Sequence, residues 1–191
     1  MNARAIVIGV SAGGFKALHT ILPCFGPNLP MPVIVVQHRR EDEDQFFAES
    51  LNAKCPLSVT EARDKEPIRP GNIYIAPGGY HLLVEKEFSF ALSVDEPVCY
   101  SRPSIDVLFE SAADACGPHL VGIILTGANS DGSDGIVAIK RNGGYTIAQD
   151  PATASSYYMP QSAIDTDAVD TVLPLDRIPA FVNELVEDAN G

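Results

Sequence analysis

Five apolar runs punctuate the chain: AIVIGV (5–10), VIVVQ (33–37), IYIA (73–76), LVGIIL (120–125) and YTIA (145–148). Each is near-continuous rather than alternating and carries β-branched residues, the pattern of strands buried on both faces. Helical spacing of apolar positions follows over Phe15–Leu22, Asp44–Ala53, Ser104–Ala115, Gly135–Arg141 and Leu175–Val186. Buried strands alternating with amphipathic helices predict an α/β fold: one doubly wound, mostly parallel sheet flanked by helices. HLLVEKEFSFALSV (81–94) breaks the rhythm with two short runs around Glu85–Glu87, which predicts an antiparallel hairpin. There is no internal repeat, low-complexity segment or long linker, so a single domain is expected over 1–191.

In open sheets of this kind, functional residues gather where the strands end, at the point where strand order reverses. The first strand ends in Gly9-Val10-Ser11-Ala12-Gly13-Gly14. This has the G-x-S-x-G spacing of a nucleophile elbow, in which flanking glycines let the backbone turn sharply around an exposed serine. The same residues nearly match G-x-G-x-x-G, but Ser11 replaces the glycine that a pyrophosphate approaches, and Gln37-His38 stands where a dinucleotide site wants an acid. A plain strand–helix turn is the third reading. The second strand ends on His38. The fourth ends in a small-residue loop, Thr126 to Gly135, that carries Asp131 and Asp134. Either aspartate could N-cap the following helix, and Asp134 in that role leaves Asp131 free. The N-x-D-G-x-D spacing hints at calcium, but the spaced ligands and terminal Glu of a twelve-residue loop are missing. Ser11, His38 and Asp131 at one edge of a sheet form a candidate triad: a hydroxyl, an imidazole to take its proton and a carboxylate to fix the imidazole tautomer. Their order differs from the Ser–Asp–His of α/β-hydrolases.

Charge narrows the partners. With 25 acidic against 13 basic residues, the net charge is -12. No Lys/Arg cluster with interleaved aromatics offsets it, which argues against nucleic acid. No apolar run approaches the roughly 20 residues of a membrane helix, so membrane insertion is not expected. Arg4 before AIVIGV mimics a signal peptide, yet the run is shorter than a usual signal core, and the chain reads as cytoplasmic. Cys24, Cys55, Cys99 and Cys116 lie far apart without a C-x-x-C pair, and read as reduced, mostly buried thiols. Nothing calls for a metal or an organic cofactor.

At this point a resemblance is specific. IGVSAGG (8–14), VIVVQH (33–38), GNIYIAPGGYH (71–81), RPSIDVLFESAA (102–113), GIILTGANSDGSDG (122–135), YTIAQD (145–150) and MPQSAI (159–164), taken in order, resemble the catalytic domain of bacterial chemotaxis protein-glutamate methylesterases, the CheB family. The resemblance runs from about Ala5 to Leu185. It implies hydrolysis of glutamate methyl esters on methyl-accepting chemotaxis receptors, with methanol released, and deamidation of receptor glutamines. It carries the family triad onto Ser11, His38 and Asp131, and implies oxyanion contacts from backbone N–H groups near Ala12 and Ala128. His81, Tyr158 and Met159 are expected to line the cleft.

The sequence departs from that family in several places. Family members usually carry an N-terminal phospho-receiver domain, whereas Met1 here lies just before the first strand, so a catalytic domain without a receiver is expected in this chain. Arg39-Arg40-Glu41-Asp42-Glu43-Asp44 replaces a Met-Pro-rich segment after His38, and reads as a solvated charge run or a remodelled rim. Ala128 stands where the family has methionine. Tyr157-Tyr158 stand where it tends to have glycine, and could refill the pocket wall or pack in the core. Two other function classes stay open: an esterase-like domain retargeted as a signalling binding module, and a small-molecule carboxylesterase.

Overall fold

The computed structural model describes residues 1–39 and 46–187. Seven strands form one parallel sheet: β1 (Ala5–Val10), β2 (Val33–Gln37), β3 (Ser58–Glu61), β4 (Asn72–Ile75), β7 (Leu120–Ile124), β8 (Tyr145–Gln149) and β9 (Thr171–Leu173), in the order β3-β4-β2-β1-β7-β8-β9. Strands added after β1 go to one side, and those from β7 onward go to the other. The order therefore reverses at β1, which places a crevice beside its carboxyl end. The expected hairpin is present as β5 (His81–Val84) and β6 (Phe90–Ser93), antiparallel and separate from the main sheet.

Helices cover both faces. α1 (Gly14–Ile21), α2 (Phe46–Asn52) and α6 (Ile178–Glu187) pack on one side; α3 (Ile105–Cys116), α4 (Ser133–Arg141) and α5 (Tyr158–Ile164) pack on the other with the hairpin. Each core takes alternate residues of β1: Ile6, Ile8 and Val10 face α1, whereas Ala5 and Val7 face α3. β1 is buried at every position, as its unbroken apolar run requires. α3 follows from Ser104, a favoured N-cap residue. Behind it Ile105, Leu108, Phe109, Ala112, Ala113 and Cys116 make one buried stripe at helical spacing.

Three elements went unpredicted. β3 reads SVTE and β9 TVL, short edge strands with too few apolar positions to stand out. α5 spans seven residues around Met159 and Pro160. The expected helix over Asp44–Ala53 is described from Phe46, and its first two residues lie outside the described residues. The cysteines are less buried than expected: Cys116 is buried, Cys55 and Cys99 are partly buried, and Cys24 is exposed between the buried Leu22 and Phe25.

Candidate active site

Strand register brings the predicted residues together. β1 and β2 pair Val10 with Gln37, so Ser11 and His38 emerge side by side from neighbouring strands. The ladder continues one step beyond the strands: His38 N–H donates to Val10 O (3.0 Å) and Ser11 N–H to Thr126 O (2.9 Å). The turn after Ser11 is held from three directions. Gly14 N–H donates to Ser11 O (2.8 Å), Gln37 Nε2 to the same carbonyl (3.1 Å), and Thr126 Oγ1 to Ala12 O (2.7 Å). Gly13 sits at φ +82°, where a side chain would also meet Ser155.

His38 joins the other two residues. Its Nδ1 is 3.1 Å from Ser11 Oγ, and its Nε2 is 2.6 Å from Asp131 Oδ2. A carboxylate only accepts, so Nε2 carries the proton and Nδ1 offers its lone pair to the hydroxyl. The His38 side chain is 10% exposed and that of Asp131 is wholly buried.

Asp131 does not cap α4, the alternative its sequence position allowed. It reaches across to the N-terminus of α3. Its Oδ1 accepts from Ser104 Oγ (2.9 Å) and Asp106 N–H (3.0 Å), and its Oδ2 accepts from Ile105 N–H (2.7 Å) as well as from His38. The α4 N-terminus is served in return by Asp106 of α3, whose Oδ1 accepts from Gly132 N–H (2.9 Å) and Gly135 N–H (2.7 Å). The two helices thus exchange carboxylates at their positive ends. Burial opposes ionisation of Asp131, but the bonds from His38, Ile105 and Asp106 outweigh it and hold the carboxyl below its ordinary range. Asp106 shifts the other way: burial, with the Asp131 charge beside it, raises it from 3.8 to about 7. Cys99, Asp106 and Asp131 bring three possible metal-ligand atoms within 4.8 Å of one another. The Asp131 oxygens and Asp106 Oδ1 already take protein donors.

A cleft of 640 Å³ opens over Ser11 and His38, walled by Phe15, Phe46, Phe47, Gln37 and Arg39. Phe15 and Phe46 are 56% and 67% exposed and form its outer lip. The N–H groups of Ala12 and Ala128 have no acceptor among the described residues.

Three expected cleft residues are placed elsewhere. His81 is 1% exposed, and its ring bridges Glu96 O (3.1 Å) and Ser104 N–H (3.2 Å). It braces the α3 N-terminus because both ring nitrogens find backbone partners. Met159 is fully buried beneath Gly127, where a Cβ would lie 2.4 Å from its sulfur, so it supports the loop before Ala128 from below. Tyr157 and Tyr158 are exposed at the start of α5 and neither refill the cleft wall nor enter the core. Arg39 is not solvated either: its guanidinium donates to Ala76 O (2.9 Å) and pairs with Glu61, and burial at 9% exposure follows from that fork. The rest of that charge run, 40–44, lies outside the described residues. Sequence reasoning missed Ser101, whose Oγ is 3.2 Å from His38 Nδ1, and Asp106, which read as an ordinary helix residue.

A buried carboxylate, an imidazole and a hydroxyl in line at the switch point of a doubly wound sheet define a serine-hydrolase type of site. Comparison with known proteins narrows the class: residues 6–182 match the family model described as CheB methylesterase, and the chain belongs to that family. A Leptospira interrogans relative is 49% identical over 178 residues, covering 93% of this chain and 92% of its own length. A protein-glutamate methylesterase/protein-glutamine glutaminase of Clostridium acetobutylicum is 40% identical over 185 residues, covering 97% of this chain. The chain spans only 54% of that longer relative. The crystal structure of the Thermotoga maritima CheB methylesterase catalytic domain superposes with a TM-score of 0.93 at 35% identity, covering 97% of this chain and all of that one.

Proposed function

We propose that the chain is a serine hydrolase that demethylates glutamate methyl esters on chemotaxis receptors in the cytoplasm, and also deamidates receptor glutamines. The observation that carries this is the unbroken path from Asp131 through His38 to Ser11, at 2.6 and 3.1 Å. Ser11 Oγ attacks the ester carbonyl while its proton passes to His38 Nδ1. The imidazolium, steadied by Asp131, then protonates the departing methoxide. Water enters, gives a proton to Nδ1 and attacks the acyl carbon, which frees the glutamate and restores Ser11. The N–H groups of Ala12 and Ala128 receive the oxyanion; each such donor is typically worth about 10²–10³ in rate.

A protein substrate fits the lip. Exposed phenyl rings of Phe15 and Phe46 beside an open cleft suit docking against a receptor surface better than enclosing a small ester. The family relationship supports the same choice over the binding-module alternative, since all three triad side chains are retained. Among the described residues no helix is long and apolar enough to cross a membrane. The test is methanol release from methylated receptor by wild type and Ser11→Ala. The variant is expected to lose on the order of 10⁴–10⁶ of the acceleration. Undiminished release would end the assignment.

A further inference from the structure

Nothing in the chemistry above uses Ser101, yet two hydroxyls bracket one imidazole nitrogen. Ser11 Oγ lies 3.1 Å and Ser101 Oγ 3.2 Å from His38 Nδ1. With the proton on Nε2, Nδ1 has one lone pair and accepts one hydroxyl proton at a time.

The backbone that presents Ser101 is strained. Val98 and Ser101 exchange N–H···O=C bonds of 3.1 and 2.8 Å and close a two-residue turn. Its central residues, Cys99 and Tyr100, have φ of 48° and 64°. Turns of this hand normally take Asn-Gly or Gly-Gly, and such a backbone at larger side chains persists only where the surroundings impose it. Here they do. Asn129 Nδ2 donates to Cys99 O (3.3 Å), and Arg102 Nη1 donates to Val94 O (2.8 Å) and Asp95 O (3.1 Å). Burial of Tyr100 is not what the turn achieves, because that side chain is fully exposed. What it fixes is the neighbouring hydroxyl.

We infer that Ser101 is a positioning residue for deacylation, an inference that rests on the function proposed above. In the resting site Ser11 donates to Nδ1. Once methanol has left, Ser11 Oγ is an ester oxygen with no proton to give. Ser101 O–H then takes the Nδ1 lone pair and keeps the imidazole facing the acyl carbon. As water enters, Ser101 yields that lone pair to one water hydrogen and its oxygen accepts the other. The water oxygen bonds to the acyl carbon as its proton moves to Nδ1. That proton passes to Ser11 Oγ as the acyl C–O bond breaks, so the atoms and charges balance.

The two half-reactions separate this role from a merely structural one. Methylated receptor is mixed with wild type, Ser101→Ala and Ser101→Thr. The first-turnover burst of methanol reports acylation, and intact-protein mass against time reports decay of acyl-Ser11. Ser101→Ala is expected to acylate near the wild-type rate but to deacylate about tenfold more slowly, the scale of one lost hydrogen bond. Ser101→Thr, which keeps the hydroxyl, restores deacylation. Wild-type deacylation in Ser101→Ala, or equal slowing of both steps, overturns the inference. No methanol from wild type overturns the proposed function and this inference with it; methanol from wild type with an unaffected Ser101→Ala removes only the role of Ser101.

Discussion

At one end of the relay Asp131 is wholly buried and accepts four hydrogen bonds; at the other, two partly exposed hydroxyls share one imidazole nitrogen beside an open cleft. The carboxylate end belongs to the core. Three of its four donors come from the N-cap and first turn of α3, itself braced by His81 and anchored to α4 through Asp106. The hydroxyl end is built on turns, Ser11 before α1 and Ser101 on its strained hairpin. The difference matches what each end must do. The carboxylate keeps one charge and one geometry throughout the reaction, whereas each hydroxyl has to change partners as the acyl group comes and goes. Preorganised charge in a dry site is the more effective stabiliser, so rigidity is concentrated there.

Breaking the rigid end gives the largest effect. In Asp131→Asn one amide faces four donors. If its NH₂ turns toward His38, the imidazole must carry its proton on Nδ1 and cannot act as base. If it turns the other way, it opposes the Asp106 N–H. Activity should fall about 10⁴-fold, with the circular dichroism of the fold retained; a loss below tenfold would show that the carboxylate does not fix the tautomer.

The next effect is on stability and its pH dependence. Asp106 titrates near 7 in the folded chain, against an ordinary 3.8. Between those values the folded state holds a proton that the unfolded state has released, so stability falls as pH rises through the window and levels off above it. Asp106→Asn keeps an oxygen for the Gly132 and Gly135 N–H groups and removes the titration. Its Tm relative to wild type should therefore climb from about pH 4 to about pH 7, at about 2–4 °C per kcal/mol for a chain of this size. Parallel Tm curves would place the ionised form of Asp106 at no disadvantage.

The smallest expected change sharpens the comparison. Ser104→Ala removes the α3 cap and one of the four donors to Asp131, while His38, Ile105 and Asp106 remain. It should cost about 1 kcal/mol of stability and raise the Asp131 pKa, which shifts the acid limb of the rate profile upward. An unchanged acid limb would show that the Ser104 hydroxyl serves the helix alone.

Much of this was legible in the chain, and the gaps have physical causes. The five apolar runs became five of the seven sheet strands, and the residues at three strand ends met as the parallel register dictates. The carboxylate's true neighbours were hidden. A sequence shows Asp131 near the start of α4 and cannot show that α3 presents its first turn to the same point. The Asp106 contribution is likewise a product of two helices meeting end to end. Ser101 carries no motif, since its position depends on a turn that its own residues, Cys99 and Tyr100, do not favour. His81 and Met159 misled for a simpler reason: a motif fixes where a residue stands along the chain, whereas cleft or core is decided by what packs above it.

The most direct test of the central claim is covalent labelling with a fluorophosphonate, which reacts with a hydroxyl only where a base activates it. Wild type should be modified at Ser11 and, with His38→Ala or Asp131→Asn, labelling should drop by orders of magnitude while the fold persists. Equal labelling in all three proteins, or modification of Ser101 with Ser11 untouched, would contradict a relay running from Asp131 through His38 to Ser11.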